Sequence, residues 1–235
     1  MSKSKLWIFG DSYAEDYTQA KIRMPDRYRW NGVWNWPEEI RRVFDVENMG
    51  MSGCGPQTQL DRFTNHTKDR ELEFCKDVNV LFFISNPYRV NFNFYTTPFH
   101  QTYITQFSDN ISQTNDVEKQ WDYKKYNKFL KQYVNYLDIE PIQEVEKYVS
   151  YLKMYSKFFN KMMVFTCFHK ISDEIAESIN TDNFCYMNEP LIQVDRDPKY
   201  RYAVNHLSDK NHKVMYSMLT SYFLKGQEPK FSRFV

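Results

Sequence analysis

An excess of either charge is missing from this chain. Thirty-one Lys and Arg face thirty Asp and Glu, a formal net charge of +1. Nucleic acid is therefore not an expected partner, because that partnership leaves a basic footprint. Long apolar runs are absent too: none approaches the roughly 18 to 20 residues that cross a bilayer, and Met1 to Lys5 carries no apolar leader core. The expectation is a soluble protein without a membrane partner, cytoplasmic or otherwise intracellular. Cysteine is sparse. Cys54, Cys75, Cys167 and Cys185 are far apart with no C-x-x-C pair, which argues against a zinc ribbon or redox motif and for reduced core thiols. His66, His100 and His169 are too isolated to suggest a metal site, so no metal and no cofactor is expected. Repeats and low-complexity blocks do not occur. Glycine is scarce at six residues, and Gly50, Gly53 and Gly55 gather in one short stretch, which calls for a backbone reason there.

What is present is ordinary globular usage, 42% hydrophobic and 26% charged, with aromatic content raised to 18%. A length of 235 residues suits a single domain spanning 1–235. Five short segments read as strands: the apolar run Lys5 to Phe9, Val43 to Glu47, Asp77 to Ser85, Lys161 to Phe168 and Phe184 to Met187. Between them lie helical patterns. One starts at Trp36-Pro37-Glu38 and runs to about Phe44, with proline and acids in its first turn; another covers Gln57 to Phe74. Further helices are predicted over Val117 to Leu137, behind Pro141 with Ile142, Val145, Val149, Leu152, Tyr155 and Phe159 at helical spacing, and after the N-cap Ser208 with Val214, Met218 and Tyr222 on one face. Residues 90–116 show no clear periodicity and exceed an ordinary connection, so they are expected to form an insertion or lid. Strands alternating with helices predict an α/β protein, a three-layer α/β/α sandwich around a mostly parallel sheet of about five strands.

In such a sheet, ligands collect beyond the carboxyl ends of the strands. Three predicted strands feed loops carrying Ser12, Gly53 and Asn86, and a late loop before the last helix carries His206. A serine there becomes a nucleophile if a histidine removes its proton and N–H donors face the developing oxyanion. Ser12, His206, the Ser12 and Gly53 amides and the Asn86 side chain provide those parts. Ser12 also fits a helix N-cap, and His212 is the rival base. Cys54 is read as packing, since nothing adjacent in sequence lowers its pKa.

These blocks resemble the SGNH (GDSL-type) hydrolases across nearly the whole chain. Ile8-Phe9-Gly10-Asp11-Ser12 is similar to the first block, whose serine is the nucleophile and an oxyanion donor. Asn48-Met49-Gly50-Met51-Ser52-Gly53 resembles the second, with Gly53 as an amide donor, and Ile84-Ser85-Asn86 the third, with Asn86 as a side-chain donor. His206-Leu207-Ser208 resembles the last block and makes His206 the general base. Trp36-Pro37 also looks like a helix start of that family. The resemblance implies a flavodoxin-like three-layer fold and ester hydrolysis. Two departures stand out. Ser85 and Pro87 flank Asn86 where the family commonly has Gly and Asp, and Ala203 stands where it usually has the Asp that orients the histidine. A main-chain acceptor near Ala203 is the expected orienting group, with Asp195 or Asp197 as alternatives.

The expected function is a serine esterase that removes an O-acyl, first of all O-acetyl, group from a small-molecule or glycan ester. Tyr13, Trp36 and Tyr88, with Trp30 and Trp34, flank the blocks as candidate aromatic faces for substrate, though most of these rings are expected in the core, and Arg89 is either a carboxylate clamp or a structural ion-pair partner. Two alternatives stay open: a catalytically silent glycan- or protein-binding module, and a lipase or thioesterase on the same fold. Sequence leaves the oligomeric state undefined.

Overall fold

The computed structural model describes residues 3–16, 35–51, 54–87, 90–93, 101–104, 140–194 and 207–235. Five strands form one sheet: β1 (Ser4–Phe9), β2 (Phe44–Asn48), β3 (Val78–Ile84), β6 (Lys161–Thr166) and β7 (Phe184–Met187), in the order β2-β1-β3-β6-β7. Every pair in it is parallel. β4 (Val90–Asn93) and β5 (Gln101–Ile104) make a separate antiparallel pair. Among the described residues the α-helices are α1 (Trp36–Glu39), α2 (Pro56–Thr67), α3 (Pro141–Ser156), α4 (Asp173–Ile179) and α5 (Asp209–Lys225).

Side-chain alternation along each strand divides the core into two layers. Leu6 and Ile8 of β1, Leu81 and Phe83 of β3, and Met163 and Phe165 of β6 face α1 and α5 through Trp36, Met215, Met218, Leu219 and Tyr222. Trp7 and Phe9, Val80 and Phe82, and Met162 and Val164 face α2, α3 and α4 through Phe63, Val145, Val149, Leu152 and Ala176. This is the expected α/β/α sandwich. All seven residues of β3 are buried, as a central parallel strand with helices on both faces requires. Each of its large apolar side chains contributes about 1.5–3 kcal/mol by leaving water.

Helix boundaries follow local chemistry. Asn35 caps α1, its side chain accepting from Glu38 N–H at 3.1 Å with Pro37 just inside. That helix is shorter than the sequence predicts. It stops at Glu39, a 3₁₀ turn covers Ile40–Arg42, and Phe44 already belongs to β2. α2 likewise ends at Thr67 rather than near Phe74, with a 3₁₀ turn over Leu72–Cys75. α3 buries Val145, Val149, Leu152 and Ser156, whereas Ile142 is exposed. α5 is capped by Ser208, which accepts from Asn211 N–H at 3.3 Å, and it closes on Gly226 in the left-handed conformation at φ 67°. The predicted helix over 117–137 lies outside the described residues, as does most of 90–116. All four cysteines are buried thiols. No helix among the described residues is long and apolar enough to cross a membrane.

Candidate active site

From β1 the chain connects to β2 on one side of the sheet, and β3 lies on the other. The topological switch point, where open parallel sheets bind ligands, is therefore the crevice beyond the carboxyl ends of β1 and β3. Ser12 and Asn86 stand at those two ends.

β1 leads into a tight turn in which Asp11 C=O accepts from Ala14 N–H at 3.0 Å and Glu15 N–H at 3.1 Å. Gly10 is required by crowding: a Cβ there would lie 2.7 Å from Phe83 Cβ and 2.9 Å from Ala14 Cβ. Asp11 is fully buried. Its Oδ1 accepts from Tyr13 N–H at 3.0 Å, and its Oδ2 accepts from Ser85 Oγ–H at 2.9 Å. Ser12 is 8% exposed. Beyond the turn, buried Asp16 pairs with Arg41 at 2.6 Å, and Arg41 also donates to Val46 C=O. The serine turn is thus anchored to the connection between α1 and β2.

The loop after β2 folds onto the same turn. Met49 N–H donates to Ile8 C=O at 2.8 Å and Met51 N–H to Gly10 C=O at 2.9 Å. Asn48 ties the two loops with both ends of its amide, Nδ2 donating to Ala14 C=O and Oδ1 accepting from Gly50 N–H, each at 2.8 Å. At Gly50 a Cβ would meet the Ala14 carbonyl carbon at 2.7 Å, so only glycine permits this approach. Cys54 Sγ donates to Gly10 C=O at 3.3 Å, the packing role expected from sequence. Gly53 lies outside the described residues, but Met51 and Cys54 on either side of it both contact Gly10.

At the end of β3, Ser85 is 1% exposed and held twice, by its hydroxyl to Asp11 and by its N–H to Gln59 Oε1 of α2 at 3.2 Å. Asn86 follows, half-buried. The end of β6 reaches the same place: Cys167 N–H donates to Ile84 C=O at 2.9 Å, and Cys167 Sγ lies 4.0 Å from Asp11 Oδ1. Ser12 and Asn86 therefore sit on adjacent strand ends cross-linked through their preceding residues.

His206, Tyr88 and Arg89 lie outside the described residues, as do Ala203, Asp195, Asp197, Trp30 and Trp34. Leu207, next to His206, is buried in the same apolar cluster as Tyr13, Ala14 and Trp36. Tyr13 and Trp36 have their rings enclosed by protein, Trp36 against Phe83 at 5.6 Å between centroids, so both serve packing here. His212 is 1% exposed; its Nδ1 accepts from Trp36 N–H at 3.4 Å, and burial pushes its pKa down to about 4. Asp11, Ser85 and Gln59 are not among the site residues expected from sequence; the one trace of Asp11 and Ser85 is their polar character just after apolar strands, and Gln59, inside the polar helix α2, has none. Among the described residues no three His, Cys, Asp or Glu side chains gather as a metal site needs.

No protein-family model matches the chain, and no curated protein matches it. Among solved structures it is similar to a protein from Desulfitobacterium hafniense DCB-2 assigned to the G-D-S-L family of lipolytic proteins, at 13% identity and TM-score 0.38, covering 92% of this chain and 97% of that one. It is also similar to the acetylxylan esterase Axe2 from Geobacillus stearothermophilus, at 15% identity and TM-score 0.38, with 93% of each chain covered. A single-substitution variant of Axe2 gives 14% identity and TM-score 0.45 over 93% of each chain. These likenesses are loose, and the functional assignment rests on the chain's own residues.

Proposed function

We propose that the chain is a serine esterase acting by acyl transfer, with Ser12 as nucleophile, His206 as general base, and the Ser12 and Gly53 amides and the Asn86 side chain as oxyanion donors. The observation that carries this reading is the cross-linked pair of strand ends: Ser12 and Asn86 follow Asp11 and Ser85, which are bonded at 2.9 Å across the switch point. Attack by a serine at that position develops negative charge within the crevice, where fixed donors act without reorganising. Burial against α1 and a pKa near 4 leave His212 poorly suited to accept the serine proton at neutral pH, which supports His206 as the base.

In the first half-reaction Ser12 Oγ bonds to the ester carbonyl carbon while its proton passes to His206. Collapse of the tetrahedral intermediate expels the alcohol, which takes that proton. In the second half-reaction water, deprotonated by His206, attacks the acyl-serine, and the acid leaves as Ser12 regains its proton. Small O-acyl groups, O-acetyl on a carbohydrate foremost, are the proposed substrate class. The test is hydrolysis of p-nitrophenyl acetate by wild type and Ser12→Ala. Turnover present in the first and reduced to background in the second is expected. Equal rates above background, or no turnover in a folded wild type, contradict it. Ala203 in place of a triad Asp favours the second reading, a silent glycan- or protein-binding module, in the latter case. Activity that rises with acyl-chain length indicates a lipase or thioesterase instead.

A further inference from the structure

We propose that Asp11 and Ser85 are positioning residues, a buried pair that fixes the spacing between the Ser12 hydroxyl and the Asn86 amide; the inference rests on the esterase reading above. The paired register of β1 and β3 ends at Phe9 and Phe82, so no backbone ladder joins the two chains where the reactive groups stand. The Ser85 Oγ–H to Asp11 Oδ2 bond supplies that missing cross-link at 2.9 Å, between side chains 0% and 1% exposed.

Each partner is held from a second direction. Asp11 Oδ1 takes the Tyr13 N–H, which ties the carboxyl to the turn around Ser12. The Ser85 N–H goes to Gln59 Oε1, which ties the base of the Asn86 loop to α2. The chain Tyr13–Asp11–Ser85–Gln59 therefore runs beneath both reactive residues and spans two strands and a helix. A glycine or alanine at position 85 has no hydroxyl to make this link. Misplacement of a reacting group by about 1 Å costs about a hundredfold in rate, so loss of the link reaches turnover before it reaches substrate binding.

The test measures kcat and KM for p-nitrophenyl acetate in wild type, Ser85→Ala, Ser85→Thr, Asp11→Asn and the Asp11→Asn/Ser85→Ala double variant, with circular dichroism and Tm confirming the fold. Ser85→Ala is expected to lower kcat about ten- to a hundredfold with KM within about twofold, and Ser85→Thr, which keeps the hydroxyl, to recover most of the loss. The double variant should lose less than the product of the single losses, since both act on one link. Ser12-dependent turnover that is undiminished in folded Ser85→Ala, or losses that simply multiply, overturns the pairing alone. Absence of Ser12-dependent turnover in the wild type overturns both the pairing and the esterase reading.

Discussion

His212 offers a direct measure of how tightly α5 is docked on α1. Its ring is 1% exposed, and its Nδ1 accepts the Trp36 N–H. Protonation there would place a charge in the buried core, away from water, which is why its pKa falls from 6.5 to about 4. Between those values the unfolded chain binds a proton that the folded chain refuses. Stability therefore falls as pH drops from 6.5 towards 4 and is unaffected by this group above that window. At about 1.4 kcal/mol per pH unit, the loss amounts to about 3 kcal/mol. The perturbation is His212→Asn, which keeps an acceptor near the Trp36 N–H but cannot titrate. Urea unfolding is measured for both proteins at several pH values across the window. The stability advantage of wild type over the variant should shrink by about 3 kcal/mol from neutral pH to pH 4. His66 and His169, also lowered by burial, contribute equally to both proteins and cancel. Parallel profiles for the two proteins would refute the reasoning.

Gly50→Ala forces a Cβ to within 2.7 Å of the Ala14 backbone; it should cost about 1–3 kcal/mol, read as a lower Tm, and lower kcat by moving the turn that carries Ser12. Asn211→Ala removes two bonds to the backbone of Val235, at 2.8 and 3.0 Å, and should cost about 1–3 kcal/mol. Limited proteolysis should then cut within 227–235 faster than in wild type.

Four strands of the sheet are legible as apolar runs, while β2, Phe44–Asn48, alternates apolar and charged residues as an edge strand does. Val78–Ile84 is buried on both faces, so periodicity is not needed to find it. Phe44 falls where the expected helix, running to about Phe44, and the expected strand, Val43 to Glu47, overlap, and it is the first residue of β2; an apolar residue at an element boundary serves either period. α4 went unforeseen because it buries only Ala176 and so has no apolar stripe; the Ser172 cap with Asp173 and Glu174 behind it was the available signal. β4 and β5 are four residues each and lie in a stretch rich in Asn, Gln and Thr, where the sequence shows no clear periodicity. The places of Ser12 after β1 and of Asn86 after β3 are legible in the sequence because both strands are apolar runs ending in polar residues. The Asp11–Ser85 bond joins residues 74 apart, so no local pattern marks the pairing, and the role of His212 emerges only when α5 meets α1.

Covalent labelling tests the central claim most directly. Wild type, Ser12→Ala and His206→Ala are treated with a fluorophosphonate and digested, and the peptide containing Ser12 is weighed. The account predicts one adduct, on Ser12, formed by wild type, absent in Ser12→Ala and strongly slowed in His206→Ala. A folded wild type that takes no label, or a label that persists when Ser12 is replaced, would contradict it.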